Sequence, residues 1–409
     1  MFKLNSRIGA IVLAVSCSQA MGAVVGGGTD STLMLYGEPP TGGIAAPVGI
    51  LNGPAPLAGF NDYVGVSSGV GKRAFLTNDS NGFVWDIDGN PLTPPQPVYT
   101  PAVSVDYAGS DSILSVTELA TYRAAHQSPS VPITSPENWG PIVQIPSAIM
   151  SITIPYKLTL TNGTAVNNLN LTSNQLCAIF SGNITTWNQV DSSYPATPIK
   201  VYYRVGSAGT SEIFTRHLNS QCPTSFITNS TFATAVGVTP PSFVAKLSDR
   251  AIIQAINSTD GAIGYTGPSE LDITNNAVVA RVNGILPPYG NVTTVLSTIA
   301  PPPAADRGLP ENWPKVLSNP SSGYSIIGYT FLNFNQCYKD ANDTLAIRAF
   351  INRHYNVNDA LNNDNAIIAA KLIPIPDIWK TTVRGSFWVS TNPLSVGNAN
   401  ACNSIGRPL

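Results

Sequence analysis

Charged side chains are scarce in this sequence of 409 residues. Lys, Arg, Asp and Glu together make up 11% of the chain, well below the roughly 25% of an average soluble protein. The basic and acidic residues nearly balance, at a formal net charge of -2. Because no basic field attracts nucleic acid or anionic lipid, we expect no nucleic-acid partner.

Metal-binding side chains are equally scarce. The only histidines are His126, His217 and His354, and they are far apart in the sequence. No CxxC motif or His-rich cluster is present, and such clusters are the usual signature of a bound metal ion. The sequence therefore predicts no metal and no cofactor.

The chain also lacks a long hydrophobic run near its start. Lys3 and Arg7 precede an apolar run from Ile8 to Val15, which is far shorter than the ~20 residues that span a membrane. Small residues follow, with cleavage sites after Ala20 or Ala23. This pattern is typical of a secretory signal peptide, which we assign to residues 1–23. We expect a periplasmic or secreted protein.

Cysteine is rare, and its count fits that location. Cys17 belongs to the signal peptide, and Ala14 stands where a lipidated cysteine usually has Leu. The remaining four, Cys177, Cys222, Cys337 and Cys402, predict two disulfides in an exported chain. Three pairings are open; pairing in sequence order is the simplest.

Turn residues and neutral polar residues are abundant instead. Gly and Pro number 34 each. Between the turns, strand patterns alternate with helix patterns, which indicates an α/β fold. Capping boxes at Ser115–Glu118 and Thr172–Gln175 predict two helix starts. Strands near 149–156 and 323–334 are candidates for crossings between lobes. We therefore predict lobe I over 24–150 plus 325–409, and lobe II over 151–324.

The residues from Ile199 to Leu218 predict an anion site. Alternating residues form a strand that ends at Arg204, and a helix with Thr210 or Ser207 as N-cap follows the small-residue turn. A helix N-terminus favours negative charge, and an Arg fork grips two oxygens of an oxyanion. An ordinary strand–turn–helix unit with a surface Arg is the alternative.

Three other stretches carry candidate polar groups. The glycines at 26–28 form a second candidate anion loop. Residues 65–69 fit G-x-S-x-G, the hydrolase nucleophile elbow. Because Gly69 and Gly71 disfavour a helix start, we interpret Ser68 as a loop hydroxyl that donates to a ligand. Asp111 follows a strand and is either a proton acceptor for an oxyanion or a turn residue.

Several of these segments carry a family resemblance. The segments GSAGTSEIFTRHL, LCAIFSGNITTWNQV, VDYAGSDS, GAIGY and CNSIGRPL resemble the DING family, whose members are relatives of the periplasmic phosphate-binding component of ABC transporters. The match runs from the glycines near residue 26 to the C-terminus. It implies a two-lobed type II periplasmic-binding-protein fold with a hinge and a central cleft for phosphate. It also implies disulfides Cys177–Cys222 and Cys337–Cys402.

The resemblance implies a set of ligand residues, with two departures. The family's Ser, carboxylate and Arg fall on Ser68, Asp111 and Arg204, and its helix start falls on Gly209 and Thr210. Where the family has Ser before that Gly-Thr pair, this chain has Ala208, for which Ser207 would compensate by turning inward. Where the family has a Thr in the first loop, Asp30 stands here, followed by Ser31. A shifted loop would let Thr32 donate instead.

The main hypothesis is an exported binding protein, not an enzyme, that closes around phosphate or a similar tetrahedral oxyanion. We expect a monomer that delivers its ligand to an ABC transporter permease. The alternative is a DING-like secreted interaction protein whose cleft no longer binds phosphate, because a second carboxylate repels the ligand. A phosphoester hydrolase is the third hypothesis, and it lacks a convincing Ser–His–acid set.

Overall fold

The computed structural model of the chain describes residues 24–37, 49–51, 59–61, 63–85, 96–288, 290, 299–320 and 322–408. The predicted signal peptide, including Cys17, lies outside these residues. In this part of the chain no helix is both long and apolar enough to cross a membrane.

The strands, in chain order, are β1 (Gly26–Gly28), β2 (Val64–Gly65), β3 (Val84–Trp85), β4 (Gln96–Pro97), β5 (Tyr107–Ser110), β6 (Ile142–Ser151), β7 (Tyr156–Lys157), β8 (Asn170–Leu171), β9 (Lys200–Arg204), β10 (Phe243–Lys246), β11 (Ala262–Gly264), β12 (Arg281–Val282), β13 (Ile327–Asn335) and β14 (Ile373–Pro374).

The α-helices are α1 (Leu33–Tyr36), α2 (Ser68–Thr77), α3 (Val116–His126), α4 (Ser173–Phe180), α5 (Gly209–Gln221), α6 (Phe232–Val236), α7 (Asp249–Ser258), α8 (Ala341–His354), α9 (Asp364–Ala369) and α10 (Asp377–Val383). Short 3₁₀ turns cover Asp30–Thr32, Ser80–Gly82, Trp187–Gln189, Ala304–Asp306 and Pro310–Asn312, and a π-helical turn covers Arg384–Trp388.

Two sheets form the centres of a two-lobed α/β fold. The larger has the order β14-β6-β13-β5-β1-β2, and the smaller has the order β10-β9-β11-β7. In the larger sheet β1 runs parallel to β2 and β5, and in the smaller sheet β9 runs parallel to β10 and β11. Every residue of β6 and β13 is buried, as expected for strands covered on both faces.

The chain passes between the sheets twice, and the two passages lie side by side. After β6, the N–H of Ile152 donates to Ile326 O at 2.8 Å. Tyr324 Oη donates to Ile152 O at 2.7 Å. These contacts lie close to residues 150 and 325, which supports the proposed division of the chain into two lobes at these residues.

Local signals for helices and disulfides are confirmed. Ser115 with Glu118 and Thr172 with Gln175 form capping boxes at the starts of α3 and α4. The disulfides join Cys177 to Cys222 and Cys337 to Cys402. The first disulfide ties α4 to the end of α5, and the second ties the turn that follows β13 to the C-terminal tail.

The prediction that Gly69 and Gly71 prevent a helix start is wrong. Helix α2 begins at Ser68, and the Ser67 hydroxyl caps it by accepting from Val70 N at 3.3 Å. The glycines are needed for close packing instead. A Cβ on Gly71 would lie 2.4 Å from Gly28 Cα, and one on Gly69 would lie 2.5 Å from Ser207 Cβ. The two glycines cost conformational entropy, but because they have no side chains the helix can approach β1 and the opposite lobe closely.

Gly71→Ala tests this packing. In an open helix this change stabilises by about 0.5–1 kcal/mol. Here the methyl group would meet the Gly28 backbone, so we expect the free energy of unfolding to fall by about 1–3 kcal/mol. Denaturant unfolding measures the change. Gly82→Ala is the matched control, because the nearest atom to its Cβ, in Ala74, is 3.7 Å away. A Gly71→Ala protein as stable as the parent would contradict the argument.

Candidate functional site

The parallel strands of both sheets end at one cleft. In open α/β sheets ligands bind beyond the carboxyl ends of the strands. The loops after β1, β2 and β5 bring polar residues from the larger sheet, and those after β9, β10 and β11 bring polar residues from the smaller one. The side chains that meet there include Thr29, Asp30, Ser31, Ser68, Asp111, Arg204, Thr210 and Asp249.

Arg204 lies at the end of β9 and is only 1% exposed. Its Nη1 donates to Asp30 Oδ1 at 2.9 Å and Oδ2 at 2.8 Å, and to Asp249 Oδ1 at 2.8 Å. Its Nη2 reaches Val66 O only at 3.5 Å, and its Nε has no hydrogen-bond partner. One nitrogen therefore carries both ion pairs, while the Nε–Nη2 edge of the guanidinium remains available for a ligand.

Asp249 was missed by the sequence reasoning. It is the first residue of α7, and its Oδ2 accepts from Gly267 N at 2.6 Å. The signal was present: a strand, Ser248 as helix N-cap, then an acidic residue, in a second strand–turn–helix unit after the one containing Arg204. Because β10 and β9 run parallel in register, their ends place Asp249 beside Arg204.

The charges of this cluster shift the pKa values of its members. Burial alone would lower the pKa of Arg204, but the charges of Asp30 and Asp249 raise it above its ordinary value. Burial raises the pKa of Asp249, and the charge of Asp30 raises it further, against the lowering effect of Arg204. One guanidinium is thus shared by two carboxylates, and Asp249 is protonated more readily than an ordinary aspartate.

Asp111 is held on the opposite side by hydroxyl groups. Thr29 Oγ1 and Ser31 Oγ each donate to its Oδ2 at 2.5 Å. Its Oδ1 has no hydrogen-bond partner, although Thr330 is near enough to lower the pKa. Burial, aided by the charge of Asp30, outweighs these hydroxyls and raises the pKa of Asp111 to about 6. Thr29 is a second residue that the sequence reasoning missed.

Ser68 and Gly209 bring the two lobes into contact beside Asp111. The Ser68 hydroxyl accepts from Asp111 N at 3.0 Å, which leaves its proton for another acceptor. A Cβ on Gly209 would lie 2.3 Å from Asp111 Cβ and 2.6 Å from Ser68 Oγ. Only glycine therefore allows the start of α5 to approach the other lobe this closely.

The N-terminus of α5 differs from its prediction. Neither Thr210 nor Ser207 is the N-cap; Ala208 is, and it has no side chain that could bond the first N–H groups. The hydroxyl of Thr210, inside the first turn, is buried and has no hydrogen-bond partner. This helix start therefore presents N–H groups without a side-chain cap, and a positive dipole end, beside the Arg204 edge.

Two predicted ligand residues point elsewhere. Thr32 Oγ1 donates to Thr29 O at 3.2 Å and lies 3.3 Å from Tyr63 Oη. Ser207 Oγ donates to Ser230 Oγ at 3.0 Å. Both hydroxyls stabilise loops within their own lobes, so neither compensates for Asp30 or Ala208. Ser31 remains at the site, where its hydroxyl orients Asp111.

Further contacts fasten the lobes around the site. Ser269 Oγ donates to Ser31 O at 2.6 Å, and Gly69 N donates to Ser207 O at 3.3 Å. Lys371 Nζ donates to Ser269 O at 2.9 Å and to Leu271 O at 2.5 Å. Together with the Arg204–Asp30 pair, these bonds hold the lobes in a closed arrangement.

The arrangement suits a desolvated anion with acidic protons. It offers a guanidinium edge, a helix N-terminus and hydroxyl donors on one side, and the Asp111 carboxylate as an acceptor on the other. Among the residues that the structure describes, no group of His, Cys, Asp and Glu side chains could hold a metal ion.

Comparisons with known proteins identify the family to which the chain belongs. Residues 57–350 match the family model described as the PBP superfamily domain. The chain is 41% identical over 403 residues, 97% of each sequence, to "Alkaline phosphatase L" of Pseudomonas aeruginosa.

Two solved structures share the fold over nearly the whole chain. A phosphate-binding protein from Stenotrophomonas maltophilia has a TM-score of 0.80 and 36% identity, with 95% of this chain and 100% of that one covered. A high affinity periplasmic phosphate-binding protein, PfluDING, bound with phosphate, has a TM-score of 0.80 and 36% identity, with 94% and 99% covered. The chain therefore belongs to the PBP superfamily and, within it, to the DING family.

Proposed function

We propose that this protein captures inorganic phosphate in the cleft between its lobes and does not transform it. One observation carries the proposal: Arg204 Nε and Thr210 Oγ1 are buried polar donors without partners. Buried polar groups are nearly always satisfied, and an unsatisfied one costs about 1–3 kcal/mol. A tetrahedral oxyanion at the start of α5 would satisfy both. The phosphate-bound relative supports the choice of ligand.

Each proposed ligand residue has a distinct role. The Arg204 Nε–Nη2 edge neutralises charge, while the N–H groups of Gly209 and Thr210, with the Thr210 and Ser68 hydroxyls, donate to oxygens. Asp111 accepts a hydrogen bond from a protonated oxygen. Sulfate carries no such proton at neutral pH, so Asp111 would repel it and select phosphate.

The wider biological setting is also proposed. We infer export to the periplasm or beyond from the signal-like residues 1–23, and PfluDING is described as periplasmic. In that compartment the protein acts as a monomer that delivers phosphate to an ABC transporter permease. The closed arrangement of the lobes fits a binding protein that retains its ligand until the lobes separate.

Phosphomonoester hydrolysis is the second candidate, because a relative with 41% identity is named an alkaline phosphatase. The positions of the histidines argue against it. His126 stacks on Trp139 with ring centroids 3.5 Å apart, and His217 is buried within α5. Ser147, His354 and Asn363 do form a hydrogen-bonded series, but all three are buried, which leaves no room for a substrate.

Replacing Arg204 by Lys tests the site. Lysine keeps the charge but loses the planar fork, so we expect phosphate affinity to fall about ten- to a hundredfold, the loss of one charge-assisted hydrogen bond. Isothermal titration calorimetry measures it. Arg123→Lys is the matched control, because Arg123 pairs with Glu311 at 2.7 Å and neither residue belongs to the cleft. Equal affinities in the parent and Arg204→Lys would contradict the assignment.

Replacing Asp111 by Asn tests anion selection. An amide cannot accept in the same way as a carboxylate, and its NH₂ group favours a fully deprotonated oxygen. We expect the preference for phosphate over sulfate to narrow by about tenfold or more. Competition binding measures the ratio. Asp106→Asn neutralises another buried carboxylate, one bonded to Val25 N, and should leave the ratio unchanged. An unchanged ratio in Asp111→Asn would remove Asp111 from the site.

A chromogenic phosphomonoester separates the two candidate functions. We expect the purified protein to bind phosphate without releasing the chromophore above background, because the Ser147–His354 pair is buried out of reach of a substrate. Ser68→Ala and Ser67→Ala should leave that background unchanged. Turnover that disappears with Ser68→Ala would instead establish a serine-dependent hydrolase.

A further inference from the structure

Asp30 occupies a position that determines the charge of the cleft. Both of its carboxylate oxygens contact Arg204 Nη1, at 2.9 and 2.8 Å, and its Oδ2 also accepts from Asp249 N at 3.2 Å. The side chain is 14% exposed. It is therefore fixed by the guanidinium and by the N-terminus of α7, and it does not swing freely in solvent.

The groups that face Asp30 come from both lobes. They are Arg204 on β9, Asp249 on α7, Asp111 after β5, and Arg250 on α7, which is itself paired with Glu270. Since Arg250 is compensated by Glu270, Arg204 is, in the part of the chain that the structure describes, the cation left to balance three carboxylates. With all three ionised, the cluster carries an excess of negative charge before any ligand enters.

The nearby tyrosines do not change this balance. Burial raises the pKa of Tyr63 well above its ordinary value, and burial also raises that of Tyr265. Both phenols therefore stay neutral across the physiological range. The carboxylates are the groups whose ionisation follows pH, since burial raises the pKa of Asp111 to about 6 and that of Asp249 as well.

A second negative charge on the ligand is therefore costly in this cleft. Like charges a few ångströms apart repel each other far more strongly in a partly desolvated cleft than in water. Thr stands at position 30 in the pattern that the sequence resembles, and it would not add this charge. Arg204 Nη1 also donates to both oxygens of Asp30. This nitrogen is therefore not available to donate to the ligand.

We propose that Asp30 is a specificity-determining residue that restricts this cleft to singly charged, protonated tetrahedral oxyanions. The inference rests on the proposed function and names the ionic form that the site accepts. In alkaline medium, where phosphate is mostly the dianion, each phosphate bound brings one proton with it into the complex. The proton comes from the solvent and stays on a phosphate oxygen, so the bound ligand is the monoanion, and no other bond changes.

The linkage between protons and phosphate provides the test. Bound phosphate is first removed, and calorimetric titration with inorganic phosphate then gives the affinity at about pH 5.5, 7 and 8.5. The same titration in buffers of different ionisation enthalpy gives the number of protons taken up on binding. For the parent, affinity should fall by about tenfold per pH unit in the alkaline range, the slope for one proton. Asp30→Asn should bind similarly in acid, show a flatter slope and take up fewer protons.

Two further variants make the comparison specific. Asp30→Thr removes the same charge with a different side chain and should behave like Asp30→Asn. Glu311→Gln removes a carboxylate from the exposed Arg123–Glu311 ion pair, whose partners do not face Asp30, and it should keep the parent's slope. Thermal unfolding of each variant confirms that a folded protein is compared.

Each outcome separates the inference from the proposed function. Identical slopes and proton uptake in the parent and in Asp30→Asn would overturn the inference and leave phosphate binding intact. Binding by Asp30→Asn alone, with none by the parent at any pH, would also overturn it, since Asp30 would then block the site. Absence of binding by all variants at every pH would overturn the proposed function itself.

Discussion

The buried guanidinium of Arg204 is the interaction on which the cleft depends. It extends from the smaller sheet and meets Asp30, which belongs to a loop of the larger sheet, so one ion pair spans the two lobes. Moving an ion out of water costs several kcal/mol unless close partners compensate. Asp249 supplies a second partner from the same lobe as Arg204. The buried charge of Arg204 is therefore fully compensated only when the loops of both lobes are in place. The ion pairs thus favour the closed arrangement of the lobes.

Features with local causes could be predicted from the sequence. The starts of α3 and α4 follow from capping boxes four residues long, and the end of β9 and the helix after it follow from an alternating pattern that changes to a helical one. Arg204 and the start of α5 were recognisable because strand, turn and helix N-terminus are adjacent in sequence. The resemblance to a family joined Ser68 and Asp111, already candidates, to Arg204 in one ligand set, and it implied the observed disulfide pairing.

Features that depend on contacts between distant residues could not be predicted from the sequence. Asp249 meets Arg204 because β10 and β9 are neighbours in a sheet, an order that no local pattern specifies. The start of α2 was missed because Gly71 looks unfavourable until the Gly28 backbone is placed beside it. The bond from Ser269 to Ser31 joins residues separated by 238 positions. In each case, tertiary packing outweighed the local propensity.

The bare start of α5 has a consequence for the folding equilibrium. A helix whose N-cap is Ala208 lacks the stabilisation of about 0.5–2 kcal/mol that a Ser, Thr, Asn or Asp N-cap provides. Under the proposed function, the phosphate oxygens take the place of that missing cap, so the loaded fold is the complete one. Ligand binding adds stability as the logarithm of ligand concentration over Kd. Under the same proposal, the lifetime of the folded molecule becomes coupled to the supply of its ligand, because unloaded copies unfold more readily than loaded ones.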